Sequence, residues 1–168
     1  MIRSATVTCD RPTSSDDPAL HAVFEGLSDR SRFLRFHTGV PHYPRAWWEV
    51  LARVEQGRSD VALARVSGRP VGHGQWHRVD ATTAELSLAV VDAWQRQGVG
   101  SVLVDHLART ASLAGIERFR SWVHPDNAGV RAMLRDREAY AGPDGSWTVA
   151  VPAQQVLRRS GPAAGEAA

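Results

Sequence analysis

Lysine is missing from this sequence of 168 residues. All twenty basic residues are arginine, and eighteen acidic residues nearly balance them. Without a lysine amine, no side chain of the chain can form a Schiff base. The arginines are scattered and not massed on one segment, which argues against a nucleic-acid-binding protein.

Cysteine and long apolar runs are scarce as well. Cys9 is the single cysteine, so an intrachain disulfide is excluded and the composition suits a reducing compartment. No run approaches the ~20 apolar residues of a membrane span, and residues 1–4 lack the apolar core of a signal peptide. We therefore expect a cytoplasmic protein that does not associate with a membrane. The length predicts a single domain over residues 1–158, followed by a disordered tail over 159–168.

The spacing of apolar residues changes along the chain between helical and alternating periods. The mixed order of elements predicts one α/β domain with a partly antiparallel sheet. The predicted strands cover 2–8, 61–66, 71–79, 84–91, 119–123 and 147–151, and the predicted helices cover 19–27, 28–36, 46–54, 98–114 and 127–137.

The most informative segment runs from Gln95 to Ser101 and joins an apolar strand to a long amphipathic helix. Gly98 and Gly100 allow the backbone to turn tightly and a ligand to approach the main chain. The first turn of the helix adds free N–H groups and the positive end of the helix dipole, which favour a phosphate group. The segment predicts a pyrophosphate site with Arg96 beside it, although a plain strand-to-helix turn would use the same residues.

This segment resembles the coenzyme A signature of the GNAT family of N-acetyltransferases, Gln/Arg-x-x-Gly-x-Gly/Ala. Gln95, Gly98 and Gly100 stand at its fixed positions. The resemblance covers about residues 20–147, and segment 26–36 gives it the look of bacterial protein lysine acetyltransferase-type domains. It implies the acyl-CoA N-acyltransferase fold, which is an α/β fold with a mixed, mostly antiparallel central sheet flanked by helices.

The resemblance also implies a co-substrate and a binding site. The co-substrate would be acetyl-coenzyme A, with no metal. The strand before the signature would pair its backbone with the pantetheine arm, and the asparagine after the next strand would lie near the coenzyme. The coenzyme-binding residues so implied are Leu88, Ala89, Val90, Gln95, Arg96, Gln97, Gly98, Val99, Gly100, Ser101 and Asn127.

A dinucleotide-binding fold is the alternative for the paired glycines. Its fingerprint needs a third glycine near Val102 or Leu103 and an acidic residue at a strand end ~20 residues downstream. The sequence has no glycine there and no convincing acid at such a strand end. We therefore favour coenzyme A.

Glu85 is the candidate general base for amine attack on a thioester. It precedes the coenzyme-binding residues on the same strand and faces away from Leu86 and Leu88. Its place resembles that of a glutamate that members of the family use, often through water; a solvent-facing strand glutamate is the alternative. The oxyanion donor would be a backbone N–H within 88–90.

The tyrosine that the family often uses to protonate the leaving thiolate has no counterpart here. Counted from Asn127, its position falls on Leu134; in an alternative register it falls on Arg137, which also weakens the match of Asn127. Tyr140 lies past the predicted helix, and we expect it to be a half-buried aromatic. A coenzyme A thiol is acidic enough to leave without a dedicated acid.

Several other side chains invite a functional interpretation. His73 and His77 are four apart on a strand and would lie ~13 Å apart, too far to share a metal ion. For Trp47 and Trp48 we favour core packing over substrate contact. The other candidates for contact with an acceptor are His37, His42, Tyr43 and His124.

Two functions follow from these patterns. The first is an active N-acetyltransferase that acts on a primary amine of a protein or a small molecule; a homodimer is compatible with it. The second is a catalytically silent module that binds or senses acyl-coenzyme A. Glu85 favours the first function, and the missing tyrosine favours the second.

Overall fold

The computed structural model describes residues 6–13, 16–43 and 54–152 of the chain. The helix predicted over 46–54 falls outside these ranges except for Val54, and the predicted tail falls outside them entirely. Within the described ranges the strands are β1 Val7–Asp10, β2 Ser59–Val66, β3 Arg69–Arg78, β4 Thr83–Val90, β5 Arg118–Trp122, β6 Ala139–Ala141 and β7 Ser146–Ala150. The α-helices are α1 Asp17–Glu25, α2 Asp29–Phe36, α3 Val99–Leu113 and α4 Ala128–Arg135.

The described strands form one sheet in the order β1-β2-β3-β4-β5-β7-β6. Strand β4 runs parallel to β5, and the other neighbouring pairs are antiparallel. The predicted fold class, a mixed and mostly antiparallel sheet flanked by helices, is confirmed. Helix α3 provides the crossover that a parallel strand pair requires.

Local signals set the starts of three of the four described α-helices. Ser28 caps α2, because its hydroxyl accepts a hydrogen bond from the N–H of Ser31 at 3.2 Å, as the predicted start at residue 28 requires. Helix α1 begins at Asp17, earlier than predicted, with Pro18 in its first turn, where a missing N–H costs nothing. Asn127 caps α4 by accepting from the N–H of Val130 at 3.2 Å.

Two sequence predictions at the sheet edges were wrong. The first strand was placed over 2–8, whereas β1 continues to Asp10, which is paired with Leu63 of β2. Strand β6 was missed, because three residues are too few to show an alternating pattern. Tyr140 lies on β6 and is 60% exposed, so the expected half-burial was also wrong.

One face of the sheet packs against α3. Leu103 and Leu107 of that helix are fully buried against the small residues Ala62 and Ala64 of β2. Trp76 of β3 joins this core, and its indole N–H donates to the hydroxyl of Thr110 at 2.9 Å. The packing fixes the start of α3 beside the end of β4.

The opposite face is covered by α1 and α2. Leu20 and Val23 of α1 pack against Val61 and Leu63 of β2. Helix α2 lies against β4 and contains no fully buried residue. Helix α2 therefore packs on the surface of the sheet at β4 and does not form the centre of the core.

We expect Gly74→Ala to destabilise the fold by about 1–3 kcal/mol, the usual cost of overpacking. An added methyl group at Gly74 would lie 2.8 Å from Cδ1 of Leu107, so the buried Leu107 side chain would have to change its rotamer or α3 would have to shift away from β3. Urea unfolding measures the change. Gly129→Ala is the matched control, because its methyl group meets nothing closer than 3.8 Å and alanine favours the helix. Equal stability of the two variants would contradict this packing.

Candidate functional site

A cavity of about 300 Å³ lies where β4 and β5 separate. The two strands are paired from Thr83 with Arg118 as far as Glu85 with Arg120, and β4 then continues to Val90. At the point of separation, the hydroxyl of Ser121 donates to the carbonyl of Leu86 at 2.7 Å. Beyond it, this edge of β4 pairs with no other strand in the described part of the chain.

Strand β4 forms one wall of this cavity. Leu86, Ser87, Leu88, Ala89 and Val90 all line it. Since side chains alternate along a strand, Ser87 lies on the face covered by α2, whereas Leu88 and Val90 pack against the core on the α3 side. The three β4 residues implied by the resemblance, over 88–90, are thus brought to the cavity.

The loop before α3 has a backbone suited to an anion. Arg96 and Gly98 both have positive φ angles, of 60° and 83°, and Gly98 is the N-cap residue of α3. Within the described part of the chain, the N–H groups of Arg96, Gln97 and Gly98 donate no hydrogen bond. An added methyl group on Gly98 would meet nothing within 4 Å. These N–H groups adjoin the first turn of α3, and donors at the start of a helix favour an anion.

Gln95 holds this loop in place. Its side-chain amide lies within hydrogen-bonding distance of three oxygens: the carbonyl of Val90 at 3.0 Å, the carboxylate of Asp92 at 3.1 Å and the hydroxyl of Ser31 at 3.2 Å. The contacts tie the loop to the end of β4 and to α2. Gln95 therefore positions the donors of the loop, in addition to lining the cavity.

The remaining predicted residues of the loop divide into two groups. Arg96, Gly98, Gly100 and Ser101 line the cavity. Gln97 and Val99 do not: the amide of Gln97 donates to the carbonyl of Ala93 at 2.8 Å, and Val99 is buried in the core. The side chains of these two residues support the loop from outside the cavity.

Helix α4 and the end of α2 complete the lining. Asn127 lines the cavity, and its side-chain oxygen is engaged in capping α4. Leu134 and Arg137, the two alternative tyrosine positions, also line it; Leu134 is buried, and Arg137 donates to Asp105 at 2.8 Å. Tyr140 does not line the cavity, so neither register supplies a phenol there.

Arg35 brings a buried positive charge to the α2 side of the cavity. Its guanidinium donates to the hydroxyl of Ser87 at 2.9 Å and lies 5.1 Å from the ring centre of Phe36. Burial lowers the pKa of Arg35 to about 10, while the negative charge of Glu85 opposes this shift. The side chain is therefore still charged at neutral pH.

Glu85 lies just outside the cavity. It follows Ala84 and precedes the first lining residue of β4, Leu86. Its carboxylate is 3.7 Å from Nε2 of His77 on the neighbouring strand, and its side chain is 35% exposed. The structure thus puts Glu85 on the same face as Ser87, next to the cavity and in contact with solvent.

The histidines and tyrosine considered for acceptor contact lie in different places. The ring of His124 packs on Phe33 at 5.4 Å and lies 6.3 Å from that of His37, beside the C-terminal end of α2. Tyr43 packs on Phe24, and burial raises its pKa to about 12. His42 is exposed. These residues do not line the cavity, and Trp47 and Trp48 lie outside the described ranges.

His73 and His77 both lie on β3, as predicted. His73 is completely buried, and burial together with the nearby charge of Arg35 lowers its pKa to about 3. His77 is half exposed. Over residues 6–13, 16–43 and 54–152, no group of three or more His, Cys, Asp or Glu side chains could hold a metal ion. Within these ranges no helix is long and apolar enough to cross a membrane.

Comparison with protein families matches residues 20–137 to the acetyltransferase (GNAT) family. The match covers more than half of the chain, and the chain belongs to this family. The predicted family and the predicted class of enzyme, an acyltransferase, are confirmed.

Known relatives agree with this membership. The chain is 36% identical over 55 residues to Acetyltransferase Pat of Mycolicibacterium smegmatis, but those residues are 33% of this chain and only 16% of that protein. The GNAT domain of S. lividans PAT superposes with a TM-score of 0.77 at 22% identity, covering 89% of this chain and 97% of that one. A cAMP-binding acyltransferase from Mycobacterium smegmatis superposes with a TM-score of 0.53 at 28% identity, covering 74% of this chain and 41% of that one.

Sequence reasoning missed several residues that the fold brings to the cavity. Arg35, Ser31, Ser121 and Met133 line it. Ser31 and Arg35 are one helical turn apart on α2, and this spacing was the one signal that could have paired them. The sequence held no sign that this face of α2 meets β4.

Proposed function

We propose that this chain transfers an acetyl group from acetyl-coenzyme A to a primary amine. The observation that carries the proposal is the meeting of two partly unpaired backbone surfaces at one cavity. One is the edge of β4 beyond Glu85, and the other is the set of N–H groups around Gly98. An acyl-coenzyme A carries both an amide-containing arm and a pyrophosphate, so a single ligand would satisfy both surfaces.

The residues present suit that ligand. Apolar side chains line much of the cavity, among them Leu86, Leu88 and Met133, and would accept the aliphatic part of the pantetheine arm. The positive φ angles at Arg96 and Gly98 are typical of loops whose successive N–H groups bind an anion. The bound co-substrate would supply an activated acyl group as a thioester.

The chain must then supply a proton acceptor, because an amine attacks only in its neutral form. An α-amine has a pKa of about 8 and a lysine amine about 10.4, so most of either is protonated at neutral pH. Glu85 is the carboxylate next to the cavity on the face shared with Ser87. Since Glu85 is not itself in the lining, we propose that it takes the proton through water.

A second function is supported by one observation. No tyrosine hydroxyl is found among the residues that line the cavity, which fits a module that binds acyl-coenzyme A without turning it over. We rank this function second, because a thiolate of coenzyme A leaves without a proton donor.

Release of free thiol from acetyl-coenzyme A separates the two functions. The purified chain is incubated with acetyl-coenzyme A and a panel of amines: amino acids, polyamines and lysine-containing peptides. Amine-dependent thiol release supports transfer. Tight binding by calorimetry without thiol release for any amine supports the silent module, and an absence of binding contradicts both.

We expect Arg96→Ala to weaken coenzyme A binding by about 10-fold or more, because a hydrogen bond to a charged group is worth roughly 1.5–3 kcal/mol. Arg96 is exposed and lines the cavity beside the free N–H groups of the loop. Calorimetry compares coenzyme A with pantetheine, which lacks the pyrophosphate. Arg109→Ala on the exposed side of α3 is the control. Equal losses for the two ligands would show that Arg96 does not contact phosphate.

A further inference from the structure

Arg35 is a largely buried cation in the wall of the cavity. It lines the cavity together with Leu34 of its own helix and with Ser87 across from it. Burying a guanidinium away from water is costly, and proteins compensate that cost with hydrogen bonds or with an opposite charge. Apolar side chains could close this wall of the cavity without that cost. A role for the charge in binding a ligand would explain why an arginine stands here.

The surroundings of Arg35 make it the cation that a ligand would meet. Burial and the charge of Arg35 lower the pKa of His73 on β3 to about 3, so this histidine is neutral at pH 7. Arg35 is thus charged and His73 is not. Glu85, the anion that acts on Arg35, has its carboxylate at 3.7 Å from the ring of His77. Ser87 accepts one N–H of the guanidinium at 2.9 Å.

Arg35 lies at a defined end of the cavity. Ser87 lies at the part of β4 that follows the separation from β5, and Arg35 faces it from α2. The donor set around Gly98 lies at the other end of β4, beyond Val90. If the pyrophosphate lies at the loop, as proposed above, Arg35 lies toward the reacting end of the ligand.

We propose that Arg35 is a specificity-determining residue that binds a carboxylate group at the reacting end of the cavity. The inference rests on the proposed function. A guanidinium has five N–H donors in a planar fork that matches a carboxylate. The carboxylate can belong to the acyl group, as in a dicarboxylic thioester, or to the amine acceptor, as in an amino acid. Both sources would present the same carboxylate to the guanidinium, and an experiment distinguishes them.

The experiment uses two matched ligand pairs. Succinyl-coenzyme A and butyryl-coenzyme A have acyl groups of four carbons and differ in the terminal carboxylate. Leucine and leucinamide are the matched pair of acceptors, because leucine has a carboxylate where leucinamide has a neutral amide. They are added to the protein loaded with coenzyme A. Binding of each ligand is measured by calorimetry, so that the result does not depend on turnover.

We expect the wild-type protein to prefer the carboxylate-bearing member of one pair by roughly 10- to 100-fold, as for a hydrogen-bonded charged group. Arg35→Gln should remove this preference, and Arg35→Lys should keep part of it. Arg32→Gln is the matched control, because Arg32 is also a mostly buried arginine of α2 but contacts Glu25 and Phe24 outside the cavity lining. It should leave the preference unchanged.

Two outcomes would overturn the proposal. One is a wild-type protein that shows no preference in either pair, a result that needs no variant to fold. The other is a preference that survives in folded Arg35→Gln. Failure of the proposed function would give a different result. Thiol release would be absent for every amine, while calorimetry would still show the preference for the carboxylate.

Discussion

Replacing Glu85 by glutamine should lower the turnover number by about 10²- to 10⁴-fold, the usual value of general-base assistance. The substitution keeps the size of the side chain and removes its capacity to accept a proton. Glu85 lies outside the lining residues, so the affinity for acetyl-coenzyme A should not change. Steady-state kinetics with the best acceptor gives the first quantity, and calorimetry gives the second.

The geometry indicates which end of that range applies. Glu85 and Ser87 are two residues apart on β4, a separation of about 7 Å along a strand. An amine that reacts beside Ser87 would therefore hand its proton to a water molecule and not directly to the carboxylate. A relay through water leaves part of the assistance in place when the base is lost, so we expect a loss nearer 10²-fold.

The pH profile tests the role of Glu85 more strictly than a single rate. At high pH more of the amine is already neutral, so the difference between wild type and Glu85→Gln should shrink as the pH approaches the pKa of the amine, about 8 for an α-amine and 10.4 for lysine. A reduced rate with an unchanged profile would assign Glu85 a positioning role instead.

Glu117→Gln is the matched control for this prediction. It removes the same charge from an exposed glutamate, just before β5, that does not line the cavity. Its rate should equal that of wild type. Full activity of Glu85→Gln on the true acceptor would contradict the general-base proposal, and desolvation of an already neutral amine would become the better account.

The parts of the fold that the sequence predicted well depend on interactions between residues that are close together in the chain. The cap at Ser28 requires only a side chain that reaches the N–H of Ser31, and the turn at Ser67 and Gly68 requires two residues with positive φ, which the structure shows at 49° and 79°. Strand β6 could not be predicted, because its three residues are held in place by pairing with β7 and not by a pattern of their own.

In the candidate site, too, local sequence patterns predicted some residues, whereas long-range contacts place others that the sequence did not predict. The loop around Gly98 was found because tight backbone geometry before a helix demands glycine within a few residues. Arg35 was not found, because its place is set by a contact with Ser87 that is 52 residues away in sequence. Strand alternation correctly put Glu85 opposite Leu86, but its place just outside the cavity depends on where β4 and β5 separate. That point is a property of the assembled sheet.

Gly98→Val should weaken acetyl-coenzyme A binding by about 100-fold or more, as expected from the loss of two hydrogen bonds to a charged group. Gly98 has a φ of 83°, and its added Cβ would meet nothing within 4 Å. The folded protein therefore has room for a Cβ at this position, and the strain of a left-handed residue costs about 1–2 kcal/mol. We expect the valine side chain to occupy the space in front of the free N–H groups of the loop, where we propose that the pyrophosphate binds.

Gly68→Val separates that loss of binding from the strain. Gly68 has a φ of 79° and equally open space at its Cβ, but it lies in the turn between β2 and β3 and does not line the cavity. Both variants should lose about 1–2 kcal/mol of stability in urea unfolding, and Gly68→Val should keep its affinity for acetyl-coenzyme A. A folded Gly98→Val protein that binds as tightly as Gly68→Val would remove the loop from the coenzyme site, and the pyrophosphate would then have to lie elsewhere along the cavity.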